Sequence, residues 1–365
     1  MKKGLNENMK QSIITVIIVF IVIAVMSNAR YFPRMTEITL AEPVFVIGID
    51  RHDNSARVSI VYEKIEGADE GDNNANKKFV DYTEGSSPAA ALETLKKRFP
   101  REMAISTAEY FLIGEEAAGG NLESAIDFLA KNNTLRLTSS VFIVRGEAGK
   151  VCEVLVETRT LDILRNYGEY SGINAISSSM EFYELLSESV KNNAFTVPAL
   201  VIKEQNGEKI VVPSGYAVIK DGVLVGFLEA DAARGYNIIT NKSVYSTIEL
   251  TNSAATRLEN ANRKIEFRWS GDNLTCIVLN INLNTRVIDS GNNPFFFEYE
   301  KEQNRVIFAE VQKSIAASKR LGCDFLGIGE LLRMRHPLRW ERIRPYWSEI
   351  YMAVPIKINV ESRLS

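Results

Sequence analysis

The chain has little of what most catalytic and metal-binding sites are built from. Its 365 residues include two histidines, His52 and His336, which removes most routes to a histidine-based metal site or a catalytic triad. Three cysteines, Cys152, Cys276 and Cys323, stand far apart with no CxxC pair. Neither a zinc knuckle nor a thioredoxin motif can be drawn from them, and the odd count argues against a disulfide framework. A GxSxG nucleophile elbow is absent. Adjacent carboxylates such as Glu115-Glu116 diverge on a strand and carry no positioning information for acid-base work. A large excess of charge is missing too: the net charge of −3 gives no basic surface for wholesale nucleic-acid binding. No enzyme, metal site or cofactor assembles from this inventory.

What is present begins with one apolar run, Ile13 to Met26, behind Lys2, Lys3 and Lys10. A basic flank followed by an uncharged stretch is what export machinery recognises, so the bulk of the chain is expected outside the cytoplasm. As a helix the run spans about 21 Å, short of the roughly 30 Å hydrocarbon core. Ser12 and Ser27 can extend it, and Arg30, Tyr31, Phe32 and Arg34 suit the far interface. The expected reading is an uncleaved anchor. Cleavage after Ala29, at the small-x-small Ser27-Asn28-Ala29, is the alternative.

Beyond the anchor the pattern is α+β and multi-domain, with mixed, mostly antiparallel sheets and packed helices preceded by this N-terminal hydrophobic helix. "PVFVIGIDRHDNSARVSIVYEK" reads as two strands around a polar turn, with Asp50, His52 and Asp53 at a solvated hairpin tip. Residues 66–78, "EGADEGDNNANKK", read as a surface loop without the ligand spacing of a calcium site. Ser87 and Pro88 mark a helix start. Strands are expected around Tyr110 to Ile113 and in "SSVFIVRG", and helices around Leu122 to Lys131 and Met180 to Ser189. Pro198 and Asn206-Gly207 suggest a domain junction. Asp221-Gly222 supplies the positive φ angles of a tight hairpin. The strand-like "KSVYSTIEL", "RKIEFRW" and "LTCIVLNINLNTRVI" come next, then a helix from Lys301 that Gly322 closes, and a final strand carrying Val354, Ile356, Ile358 and Val360. The expected organisation is 1–30 signal or anchor, 31–200 an N-terminal α+β domain, 201–255 a small β-rich middle domain, and 256–365 a C-terminal α+β domain.

The stretch "GCDFLGIGELLRMRHPLRWERIRPYWSEIYMAVPIKINV" holds an aspartate, a Gly-x-Gly-Glu, a proline and two spaced tryptophans before a strand: Asp324, Gly327, Gly329, Glu330, Pro337, Trp340 and Trp347. With "SGYAVIKDGVLVGFLEADAARGYNIITNK", and more weakly "EITLAEPVFVIGID" and "AIDFLAKNNTLRL", it resembles the Ger(x)C family, the C subunits of bacterial spore germination receptors. These matches run in order from Glu37 onward. Members usually carry a lipobox cysteine near the position of Asn28, and its absence here favours the anchor helix. The resemblance implies a subunit on the extracytoplasmic face of the inner spore membrane. There it would act with A-type and B-type integral-membrane subunits in the response to nutrient germinants.

The residues themselves carry plainer readings. No Lys or Ser/Thr follows the Gly-x-Gly, and Glu330 would repel an anion, so a tight turn is expected there and not a phosphate cradle. Trp340, Ile343, Trp347 and Ile350 recur as on a helix burying one face, with Pro345 forcing a kink or restart. Arg333, Arg335, Arg339, Arg342 and Arg344 form the one dense basic patch: a solvated helix face, or a docking surface for anionic lipid or an acidic partner. Two rival functions stay open at this point, a solute-binding receptor component of a transporter and a cell-wall hydrolase whose carboxylates meet only in the fold.

Overall fold

Strands made of unbroken apolar residues sit at the centre of the larger sheet, because only a strand covered on both faces can use every side chain in packing. In the computed structural model, which describes residues 41–64, 77–169, 177–242, 247–250, 254–289 and 296–364, β5 (Tyr110–Gly114) is buried at all five positions. Its neighbour β6 (Ser140–Arg145) is buried at its four central ones. The expected anchor and most of the 66–78 loop lie outside the described residues. Among the described residues no helix is long and apolar enough to cross a membrane.

The larger sheet runs in the order β3 (Lys78–Gly85), β2 (Ser55–Glu63), β1 (Glu42–His52), β5, β6, β7 (Ala194–Gln205), β8 (Glu208–Lys220), β9 (Val223–Leu228), with the short β4 (Met103–Ala104) beside the start of β1. Its centre, β1-β5-β6-β7, is parallel, and antiparallel pairs flank it on both sides. Successive side chains point to opposite faces and build two cores. Phe111, Ile113, Val141 and Ile143 pack with Leu92 of α1 (Pro88–Lys96), Leu122 of α2 (Glu115–Lys131) and Phe182 of α5 (Phe182–Lys191). Tyr110, Leu112, Phe142 and Val144 pack with Val151 and Leu155 of α3 (Ala148–Glu157) and Leu164 of α4 (Asp162–Glu169).

The smaller sheet has the order β10 (Thr247–Glu249), β11 (Ala255–Ser270), β12 (Asn273–Asp289), β13 (Ile356–Leu364). Antiparallel pairing joins β10 to β11 and β11 to β12, while β12 and β13 run parallel. A third core lies between this sheet, α6 (Ala230–Thr240) and α7 (Phe296–Arg320), and it takes in Tyr216, Val218 and Leu228 from the end of the larger sheet. Residues 201–255, read in sequence as a middle domain, are therefore shared out: β7, β8 and β9 complete the larger sheet and β10 opens the smaller one, so the stretch has no sheet of its own. Asn206-Gly207 is the tip of the β7–β8 hairpin, with φ of 56° and 82°.

Three local expectations hold in detail. Ser87 Oγ accepts the Ala90 N–H at 3.2 Å with Pro88 at the first helical position. Asp221 and Gly222, at φ 50° and 76°, turn the β8–β9 hairpin. Gly322, at φ 65°, follows the end of α7. A fourth changes: Asp53 and Asn54 form the solvated tip, but Asp50 is buried, 3% exposed. Its carboxylate accepts the N–H groups of Ala148 at 2.7 Å and Gly149 at 2.8 Å, at the opening of α3. Burial pushes this carboxyl above the usual range, against the pull of the two donors.

Candidate functional site

Two sequence motifs that lie about a hundred residues apart each turn out to be one packed joint. The first joins the β8–β9 hairpin to α6. Tyr216, on β8 and fully buried, donates its hydroxyl to Asn237 Oδ1 at 2.5 Å and accepts the Ser178 N–H at 2.6 Å. Thr196 donates to the Tyr236 hydroxyl at 2.9 Å, and the Tyr216 and Tyr236 rings meet edge to face at 4.8 Å. Buried polar groups need such partners, which is why these residue types are tolerated in the third core. One residue before Tyr236, Gly235 lets α6 cross α7 at backbone contact: a Cβ there would lie 2.1 Å from the Glu310 carbonyl oxygen. Arg234 ties the same crossing, donating to Glu310 at 2.6 Å and Asp231 at 2.7 Å. Burial raises the Glu310 carboxyl while Arg234 pulls it back down.

The second joint is built on Asp324. Gly327, at φ 72°, takes the left-handed turn that opens α8 (Ile328–Arg335), and Asp324 reaches over that turn to accept the Ile328 N–H at 3.1 Å and the Gly329 N–H at 2.6 Å. Trp347 donates its indole N–H to the same carboxylate at 3.2 Å. Gly329 is required by that contact, because a Cβ would come within 2.5 Å of Trp347 Nε1. Burial pushes the Asp324 carboxyl up, with the Gly329, Ile328 and Trp347 donors acting in the opposite sense. The expected turn at the Gly-x-Gly is thus a capped helix start.

Pro337 begins α9 (Pro337–Ile343), a 3-10 turn at Arg344–Tyr346 holds Pro345, and α10 (Trp347–Ala353) restarts the chain. Trp340 and Trp347 are half-buried and pack at 5.4 Å, so the face carrying them spans two short helices. Against Trp347 packs Tyr351, 1% exposed, whose hydroxyl meets Ser318 Oγ at 2.5 Å.

Four of the five arginines have partners of their own. Arg333 pairs with Glu330 through two contacts of 2.7 and 2.6 Å, which holds the Glu330 carboxyl below its usual range. Arg335 donates to the Ile265 carbonyl at 2.5 Å, Arg339 lies 4.4 Å over the Trp269 ring, and Arg342 pairs with Asp272 at 2.9 Å. These partners sit on β11 and the β11–β12 turn, so Arg335 and Arg339 fasten the short helices to the smaller sheet, while the Arg342–Asp272 pair lies exposed beside them. Arg344 is exposed and has no partner among the described residues.

Sequence reasoning missed the Tyr216–Asn237–Ser178 network and the Asp50 cap, whose members are distant in sequence. Among the described residues no group of three or more His, Cys, Asp or Glu side chains could hold a metal ion.

Comparison with known proteins divides the chain within the larger sheet. A family model described as the spore germination protein N-terminal domain matches residues 34–202. One described as spore germination B3/GerAC like, C-terminal, matches residues 214–365. The gap between them falls on the β7–β8 hairpin, where the sheet itself is continuous. No curated protein matches. A solved structure titled "Crystal Structure of the GerBC protein" shares the fold with a TM-score of 0.56 at 14% identity, covering 87% of this chain and 96% of its own. Both joints lie within the C-terminal match apart from Ser178 and Thr196, and the two matches follow in order along the chain. The chain belongs to the Ger(x)C family, the family of spore germinant receptor C subunits.

Proposed function

We propose that this chain is a non-catalytic, extracytoplasmic, membrane-associated subunit of a nutrient germinant receptor at the inner spore membrane, working with A-type and B-type membrane subunits. The observation that carries the reading is the pair of ordered family matches, 34–202 and 214–365. The geometry supports a scaffold role. The motif carboxylate, Asp324, is spent on two backbone N–H groups and an indole, and the Gly-x-Gly on a helix start. A rigid body of this kind acts by docking and by favouring one conformational state of its partners. Attachment falls to the run Ile13–Met26, retained as an anchor. Contact with anionic headgroups falls to Arg344, and to Arg333 and Arg342, whose ion pairs are exposed and exchange readily.

Affinity-tagged full-length protein, purified from detergent-solubilised inner spore membrane, is expected to bring down one A-type and one B-type membrane subunit, with an intact mass that includes residues before Arg30. Recovery of neither subunit contradicts the receptor assignment. A mass starting at Arg30 contradicts the anchor alone.

A further inference from the structure

The smaller sheet ends on β13, and the open side of that strand is unpaired among the described residues. Pro355 O accepts the Ile277 N–H at 3.0 Å, so the odd-numbered peptide groups that follow face β12. Those of Ile356, Ile358, Val360 and Ser362 point outward; the Leu364 N–H, of the same parity, is taken on that side by Glu300 Oε1 at 3.1 Å. A groove of about 520 Å³ runs beside this edge, lined by Phe308, Ile315 and Ala316 of α7 and by Ile356 and Ile358. Ile356, Ile358 and Val360 are half-buried, while Lys357, Asn359 and Glu361 alternate with them on the exposed face.

We propose that β13 pairs antiparallel with β13 of a second copy of this chain, in the register that sets Asn359 opposite Asn359. Lysine on a free edge ordinarily blocks such pairing. Here the register turns it into an attraction, because Lys357 of each copy falls opposite Glu361 of the other. Other registers that match the outward peptide groups lose this complementarity. Centring the pair on Val360 sets Lys357 against Arg363, and centring it on Ile358 sets Lys357 against Asn359. In the Asn359 register, Ile358 and Val360 exchange backbone hydrogen bonds across the two-fold and extend the half-buried row over the groove. Asn359 and the Lys357–Glu361 pairs occupy the non-hydrogen-bonded positions, where side chains approach most closely. The interface draws on strand edge, groove and charge pattern alone, so it does not rest on the receptor assignment.

The test is the oligomeric state of the full-length protein in detergent, measured by sedimentation velocity on four proteins: wild type, Lys357→Glu, Glu361→Lys and the double exchange. Wild type is expected to be a dimer. Each single variant sets like charges opposite one another twice and is expected to weaken the dimer by about tenfold or more, and the double exchange is expected to restore it. Both residues are exposed, and an unchanged circular dichroism spectrum serves as the folding control. Asn359→Cys is expected to form an intermolecular disulfide under mild oxidation, since facing Cα atoms at such a position lie about 4.5 Å apart. The three native cysteines are buried and do not compete. A monomeric wild type, a dimer indifferent to the single reversals, failure of the double exchange to restore it, or Asn359→Cys that stays uncrosslinked would each overturn the proposal.

Discussion

Gly235→Ala is expected to destabilise the protein by about 3 kcal/mol, lowering the melting temperature by roughly 5–10 °C. Alanine would ordinarily help here, since glycine inside a helix costs about 0.5–1 kcal/mol relative to alanine. At this position the added methyl would stand 2.1 Å from the Glu310 carbonyl oxygen, 2.4 Å from its carbon and 2.8 Å from the Val311 nitrogen. All three are backbone atoms, so no side-chain rotation relieves the overlap and the α6–α7 crossing has to open. Opening it also stretches the Arg234–Glu310 pair, whose glutamate is 7% exposed, and a buried charge parted from its partner adds its own penalty. Thermal unfolding followed by circular dichroism measures the effect. An unchanged or raised melting temperature would mean that the helices do not touch at this point.

Asp324→Ala is the second large effect, about 3 kcal/mol, read by urea unfolding. The substitution leaves the Ile328 and Gly329 N–H groups and the Trp347 indole without their acceptor, and each buried donor left unpaired costs about 1–3 kcal/mol, partly recovered by water. Trp347→Phe keeps a ring but loses the N–H, and should cost less, about 1 kcal/mol. The two changes share one hydrogen bond, so the double variant is expected to fall short of the sum by about 0.5 kcal/mol or more. Strict additivity would show that Asp324 and Trp347 act independently and do not share one joint.

Elements whose signals are local were legible in the sequence. Ser87-Pro88, Asp221-Gly222 and Gly322 each fix a backbone angle or a cap within four residues, and each occurs where the pattern placed it. What failed to show was pairing across distance. The strands of the parallel centre β1-β5-β6-β7 are separated in sequence by helices and, between β1 and β5, by other strands, and nothing in a strand's own residues names its neighbour. Asp50 looked like turn chemistry because its partners, Ala148 and Gly149, stand almost a hundred residues away. The arginine run gave no sign of its partners for the same reason, since Ile265, Trp269 and Asp272 are supplied by the β11–β12 hairpin. At the candidate site the residue types were visible in the sequence, whereas the convergence of Asp324, Gly329 and Trp347 on one carboxylate required the fold.

The most direct measurement is dipicolinic acid release from spores carrying an in-frame deletion of this protein, exposed separately to several nutrients and to a non-nutrient trigger. The expected result is loss of release with at least one nutrient, restored by the full-length chain, while the non-nutrient trigger still works. Unchanged release with every nutrient, or loss of the non-nutrient response as well, would contradict a role as a nutrient receptor subunit.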